Sequence, residues 1–497
     1  MYMGKTGARV AGHAVFAVLS IMALWCWQER TLILDAAFQS YLFIATGKPA
    51  IMVERFGATM VQLLPLAGVW TGAPLQVVLM LYSVSIVLFH WVLFGICLHG
   101  LKDGKAALAI LLFNVLFVSD SFFWMQNELL QAISLMFVLW SIWHKGVGRG
   151  RFAVRDYVWI AVLSVTVIYY HPLVFFPLAF CWLHLWLNAR ENAAMPKALP
   201  LLALALLFAL IFSSKYIFRQ PNFYDRGMTG QYVREFNLSP QRLLHSQSLR
   251  DFMAHLDDNL LLLVPLLVLI TVFYLARKRY WQAALTPAFV LLYCLLIMQR
   301  FLDDDRWYVQ ESHYQALAVF LIVPMVWDIL PGVFPGLAHK WSDALKSSDH
   351  YYTGLQRWMP FAILILLLIR VGGIWSTGHT YTARLAYVRG LLDKTKGMDG
   401  RKFVVDEKET NRVDLMMYWG LPFETWQMSA LESPDSVRVL AISANPDSLA
   451  GRLAPDSMVT FLMIPPVAFR DMPERYYIMR DTAPYRPVTL ERRAPVR

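Results

Sequence analysis

Apolar stretches close to the length of a bilayer crossing recur along most of this chain, and that recurrence restricts the fold more than any single motif. A helix needs roughly 20 apolar residues to cross a hydrocarbon core about 30 Å thick. In lipid no water satisfies the backbone, so each crossing must be helical. Eleven stretches fit, near 11–28, 75–98, 106–119, 128–143, 157–170, 172–187, 199–216, 259–275, 281–298, 314–331 and 359–376. The third to sixth are short and read as two helical hairpins with tight turns. The expected fold class is membrane all-α: a polytopic bundle of about 11 transmembrane helices, with a small C-terminal extracytoplasmic α/β domain.

Composition agrees, with 57% hydrophobic and 16% charged residues, against about 45–50% apolar and 25% charged in soluble domains. A net charge of +10 raises nucleic acid as a partner. The Lys and Arg residues lie in short clusters between apolar runs, however, and form no single basic face, so no nucleic acid is expected. Cys26, Cys97, Cys181 and Cys294 all sit in apolar segments without CxxC spacing, and read as small core residues. The start of the chain has Lys5 and Arg9 before an apolar run, as a signal peptide would. It lacks the small-residue cleavage pattern and is read as the first membrane helix.

Short cytoplasmic loops carry an excess of Lys and Arg. Placing the N-terminus inside makes every inner connection basic: Lys102 and Lys105; Lys145, Arg149, Arg151 and Arg155; Arg190 and Lys197; Arg277, Lys278 and Arg279; Lys340, Lys346 and Arg357. The segment 119–127 and the turn at His171-Pro172 contain no basic residue beyond that histidine. The long connections 29–74, 216–258 and 299–313 then face outward, together with the C-terminal domain. Within the first of them, 57–70 is apolar but broken by Pro65, which suits an interfacial or re-entrant helix.

The chain divides into a transmembrane domain, 1–376, and a juxtamembrane helix with a soluble domain, 377–497. Residues 379–397 read as an amphipathic helix leaving the membrane. Strands are expected at 402–406, 437–443 and 458–464, with a late pair near 476–479 and 488–491, and helices at 408–419 and 445–453. No phosphate-binding loop, GxSxG or HExxH occurs there, and a lid or docking platform is the plainest role.

Charge at membrane depth is costly and tends to mark function. Asp35 lies in an otherwise apolar stretch just past the first span, where a carboxylate would serve as a base, a cation ligand or a helix cap. Arg55 suits bidentate contact with phosphate oxygens, or a structural pair with Glu54. Asp120 and Glu128 stand beside aromatic residues in DSFFWMQNE, a combination that suits sugar hydroxyls and pyranose faces as well as an interfacial belt. His171 is a phosphate or hydroxyl ligand or a turn residue. Arg226 sits in a Gly- and Tyr-rich loop, and Arg300, Arg306 and His313 surround three aspartates at 303–305. These cations suit an anionic headgroup. The aspartate run reads as a solvated rim or a cation site, so the metal ligands stay unknown and a divalent cation stays open as a cofactor. Arg370 adds a cation within the last span.

This arrangement resembles the GT-C superfamily of polytopic glycosyltransferases, with an acid in the first long outer loop, polar residues in the second, an Arg-bearing late loop and an extracytoplasmic C-terminal domain. The resemblance spans the whole chain as a pattern. It implies Asp35 as catalytic base or metal ligand and Glu128 as a second catalytic acid, with Asp120 its alternative. It further implies that Arg300, Arg306 or His313 holds the phosphate of a polyprenyl-phosphate or polyprenyl-diphosphate sugar donor, while Arg55, Asp120, His171 and Arg226 stand as substrate-binding candidates on the residue readings above. Ala36 stands where the superfamily commonly has a second acid. The implied partners are a lipid-linked sugar donor and membrane lipid, in a bacterial inner membrane. A flippase for a lipid-linked glycan and a noncatalytic subunit of an envelope polysaccharide system remain as alternatives.

Overall fold

The computed structural model describes residues 5–191, 239–333, 354–459 and 467–490, with only isolated positions between 192 and 238. The predicted span 199–216, the inner segment 332–358 and the strand 458–464 therefore fall largely outside the described residues.

Five helices are long and apolar enough to cross a membrane: Leu75–Gly100, Pro172–Arg190, Tyr280–Arg300, Trp307–Ile329 and Ile363–Lys394. Shorter apolar helices occupy Val10–Trp25, Phe56–Trp70, Gly104–Phe113 and Leu263–Ala276. The predicted eleven spans are not reached on these grounds. Two further helices, Glu128–Arg149 and Val154–Tyr170, coincide with predicted crossings, but the third predicted span ends at Phe113, before the turns that follow Asn114. The window in Trp307–Ile329 is 83% buried, against 22% in Ile363–Lys394, so the former is the central helix of the bundle and the latter lies on its rim. That central helix closes with a π-helical turn, Met325–Ile329.

Helix ends follow ordinary chemistry. Asp103 caps Gly104–Phe113 by accepting from the Lys105 and Ala106 amides, and Ser141 donates to its other oxygen at 2.6 Å, so one carboxylate joins two helices. Glycines at 47 and 150 take the left-handed conformation that ends their helices, as this position favours.

The expected last span and the juxtamembrane helix are one unbroken helix, Gly354–Lys394. Beyond it, strands β1 (Lys402–Asp406), β2 (Val439–Ser443) and β3 (Arg486–Val488) form a parallel sheet in the order β2-β1-β3. Phe403 pairs with Leu440, and Val405 with Val488. The helix expected at 408–419 is broken into short turns around Glu407–Glu409 and Arg412–Leu415. The principal helix, Leu421–Ala430, follows instead, and residues 476–479 are irregular.

All ten residues of Leu421–Ala430 are buried because it is packed on two sides. Toward the sheet, Thr425 Oγ1 accepts from the Leu440 amide and Ser429 Oγ from that of Arg438. Toward the helical bundle, Phe423 packs at a tilt against Phe38 and Tyr41 with ring centroids 4.7 and 5.1 Å apart. There Gln427 donates to the Ala37 carbonyl at 2.6 Å. Glu424, fully buried, accepts from Arg384 of the long helix at 2.8 Å and from the Leu34 amide at 2.7 Å. The C-terminal domain is therefore part of the same core. Breaking a buried ion pair by removing one partner costs about 3–5 kcal/mol, so Glu424→Ala is expected to lower the thermal unfolding midpoint of the purified protein sharply. An unchanged midpoint would show that this link is not structural.

Candidate functional site

A cavity of about 420 Å³ opens where the C-terminal domain meets the bundle. Asp35, Arg55, Glu128, His171, Arg300, Arg306 and His313 all line it, although they come from segments far apart in the sequence. Trp124 and Trp419 add two aromatic faces.

Local backbone conformation sets these side chains. Six described non-glycine residues have positive φ, and four of them, Leu34, Val53, Glu54 and Met416, border or line this cavity. Left-handed conformations cost of order 1–3 kcal/mol each and gather at functional sites, where the surroundings enforce them. Leu34, at φ 37, opens the helix Leu34–Thr46 and places Asp35 in its first turn, while the Leu34 amide is held by Glu424. Gly420 lies so close that a Cβ there would come 2.6 Å from Leu34 Cα, which requires glycine.

Asp35 is half-buried in the wall. Burial, then the nearby charge of Glu128, push its carboxyl up to about 7, with Arg55 opposing. Arg55 pairs with Glu128 at 2.9 Å, a different partner from the adjacent Glu54, and Gln126 donates to the other Glu128 oxygen at 3.3 Å. The cavity thus holds one carboxylate tied to a guanidinium and another poised near neutrality, a division of roles that suits acid–base work.

His171 ends Val154–Tyr170, and its Nδ1 accepts from the Leu173 amide at 3.2 Å, which leaves Nε2–H as a donor. Burial, then the Arg55 charge and neighbouring His313, hold His171 well below its ordinary range, so it is neutral at pH 7. The His313 ring is 6.3 Å from it, and its Nδ1 donates to the Val309 carbonyl at 3.0 Å. Arg306 is held by Asp304, with Nε 2.7 Å from Oδ1, and also meets the Met417 sulfur at 2.7 Å. Asp303 and Asp305 are exposed and only Asp304 lines the cavity. No group of three or more His, Cys, Asp or Glu side chains among the described residues is placed to hold a metal.

Two predicted binding residues stand apart. Asp120 accepts from the Tyr381 hydroxyl at 3.1 Å, and burial with the nearby Glu311 carboxylate raises its carboxyl well above the usual range. It braces the loop and does not line the cavity. Arg226 is exposed and likewise absent from the lining. Glu311, unremarked in the sequence, is fully buried and accepts from the amides and hydroxyls of Ser119 and Ser121 and from the Asp120 amide, at 2.7–3.0 Å. It fixes the loop that carries Trp124 and leads to Glu128. It lies in the polar stretch 299–313 beside three aspartates, and nothing in its local sequence sets it apart from them. Met417 and Trp419 come from the stretch expected to be helical, and only the tertiary fold brings them to the site.

No protein-family model matches the chain, and no curated protein matches it in sequence.

A carboxyl raised from about 3.9 to about 7 on folding binds its proton more tightly in the native state, so stability falls as pH rises through that interval. Asp35→Asn, which carries no charge, is therefore expected to raise the unfolding midpoint at pH 8 and to match the parent protein near pH 4. A midpoint difference that does not vary with pH would show that Asp35 titrates as an ordinary carboxylate.

Proposed function

We propose that the chain is a membrane glycosyltransferase of GT-C type, which transfers a sugar from a polyprenyl-phosphate donor to an acceptor hydroxyl at the outer face. The finer topology belongs to the same reading: about eleven spans, the N-terminus in the cytoplasm, and the cavity and C-terminal domain outside, in a bacterial inner membrane. The observation that carries it is one cavity holding a carboxyl poised near pH 7, a Glu–Arg pair, two further arginines, two histidines and two tryptophans.

In this reading Asp35 takes the proton of the acceptor hydroxyl while that oxygen bonds to the anomeric carbon. The bond between the anomeric carbon and the phosphate oxygen breaks, and its electron pair leaves with the lipid phosphate. Arg300 and Arg306 lie where they could meet that developing charge. Trp124 and Trp419 offer flat apolar faces for a pyranose ring, and Glu128, fixed by Arg55, accepts from sugar hydroxyls. His171, neutral, donates through Nε2. Glu128 is here a binding and orienting group, because its charge is already committed to Arg55.

Purified protein mixed with a labelled polyprenyl-phosphate sugar and a hydroxyl acceptor should release lipid phosphate. General-base catalysis contributes about 10²–10⁴-fold, so Asp35→Asn should lower turnover by that factor with unchanged expression. The parent's rate should rise with pH up to about 7 as the base loses its proton. Glu128→Gln removes the neighbouring charge that raises the Asp35 carboxyl, and the rising limb should move to lower pH. Full activity in Asp35→Asn removes that residue from the role, and movement of the glycan across vesicles without lipid-phosphate release would identify a flippase.

A further inference from the structure

A second, smaller cavity of about 50 Å³ lies beside the first, and Asn127 lines both. A water needs about 10–15 Å³ measured this way, so there is room for a small ion with a water beside it. Arg30 lines this cavity and is 1% exposed. A guanidinium does not lose its proton in a protein, and a buried charge is costly unless it is paired.

Among the described residues, no carboxylate pairs with Arg30. Its Nε donates to Ser83 Oγ at 2.9 Å and Nη2 to the Ser83 carbonyl at 3.0 Å, while Nη1 donates to the Phe122 carbonyl. The carbon of the guanidinium sits 4.0 Å from the centre of the Phe122 ring. These are dipoles and a ring face, none with a full negative charge. Glu29, its neighbour in sequence, meets Thr382 instead. No acidic residue lines the cavity.

A second observation points the same way. Gln131 lines the cavity, is fully buried, and leaves both its amide nitrogen and its amide oxygen without a partner. Gln315 spends its nitrogen on the Phe113 carbonyl and leaves its oxygen unpartnered. Buried amides are rarely orphaned. A cation with spare N–H groups and an idle amide donor call for an anion, and the two idle amide oxygens call for a donor.

We propose that this cavity is a binding site for a small monovalent inorganic anion of the chloride class, held by Arg30 and the Gln131 amide. A water at its side donates to the Gln131 and Gln315 oxygens. The anion supplies the charge that Arg30 lacks and steadies the turn 119–127, which forms the partition between the two cavities. The site is independent of any reading of the larger cavity.

The test uses the purified full-length protein with chloride or bromide as probe, at constant ionic strength balanced by gluconate, which is too large to enter. Chloride and bromide should raise the unfolding midpoint in a saturable way. Crystals grown in bromide should show an anomalous peak between Arg30 and Gln131. Gln131→Leu keeps the arginine and fills the cavity, and Arg30→Met removes the cation. Each variant should abolish the halide-dependent rise, and the former keeps the test decisive where the latter fails to fold. Equal midpoints in chloride and gluconate, or a cavity containing water alone in bromide-grown crystals, would overturn the assignment.

Discussion

One carboxylate oxygen, Oε1 of Glu424, connects three parts of the molecule that are remote in sequence. It receives the Arg384 guanidinium from the long helix and the Leu34 amide at the start of the Asp35 helix, while its own helix packs on the sheet. An amide at position 34 has no partner within its helix, since the first N–H groups of any helix lack one. Meeting that need with a buried charge joins the C-terminal domain to the wall of the cavity. The strained conformation of Leu34, the absence of a side chain at Gly420 and the Gln427 contact with Ala37 all depend on this meeting.

Seven of the nine residues singled out from the sequence line one cavity, and the reason is energetic. Charged groups such as Asp35 or Arg300 stand out against apolar surroundings because burying them is costly, so their presence needs a polar enclosure. Asp120 and Arg226 show the limit of that argument. Asp120 is indeed half-buried and polar, but it supports the loop from behind, and sequence offers no means of telling the front of a wall from its back. Glu311, Trp419 and Arg30 were not found for a related reason. Their importance lies in what faces them across 53 to several hundred positions of sequence, and local pattern is silent about such meetings.

The fold was legible at the level of class. Apolar periodicity marks where helices form, but the length of a crossing is set by tertiary contacts as well. Gly104–Phe113 stops short because the chain then turns into the loop that Glu311 grips, where Ser119 and Ser121 satisfy a carboxylate in place of helical carbonyls. In the C-terminal domain the β1 and β2 segments were plain, being short β-branched runs, whereas the Leu421–Ala430 helix was missed. It is covered on both faces, and its polar residues Glu424, Thr425, Gln427 and Ser429 are buried with the apolar ones, so it presents no amphipathic signature.

The unbroken helix Gly354–Lys394 has a mechanical consequence. At 1.5 Å per residue its 41 residues extend about 60 Å, roughly twice the hydrocarbon thickness of a bilayer. A rod of that length has no break along it, so its two ends must lean together. Because Arg384 lies toward its C-terminal end and grips Glu424, any force that tilts the rod would be felt as a displacement at the mouth of the cavity.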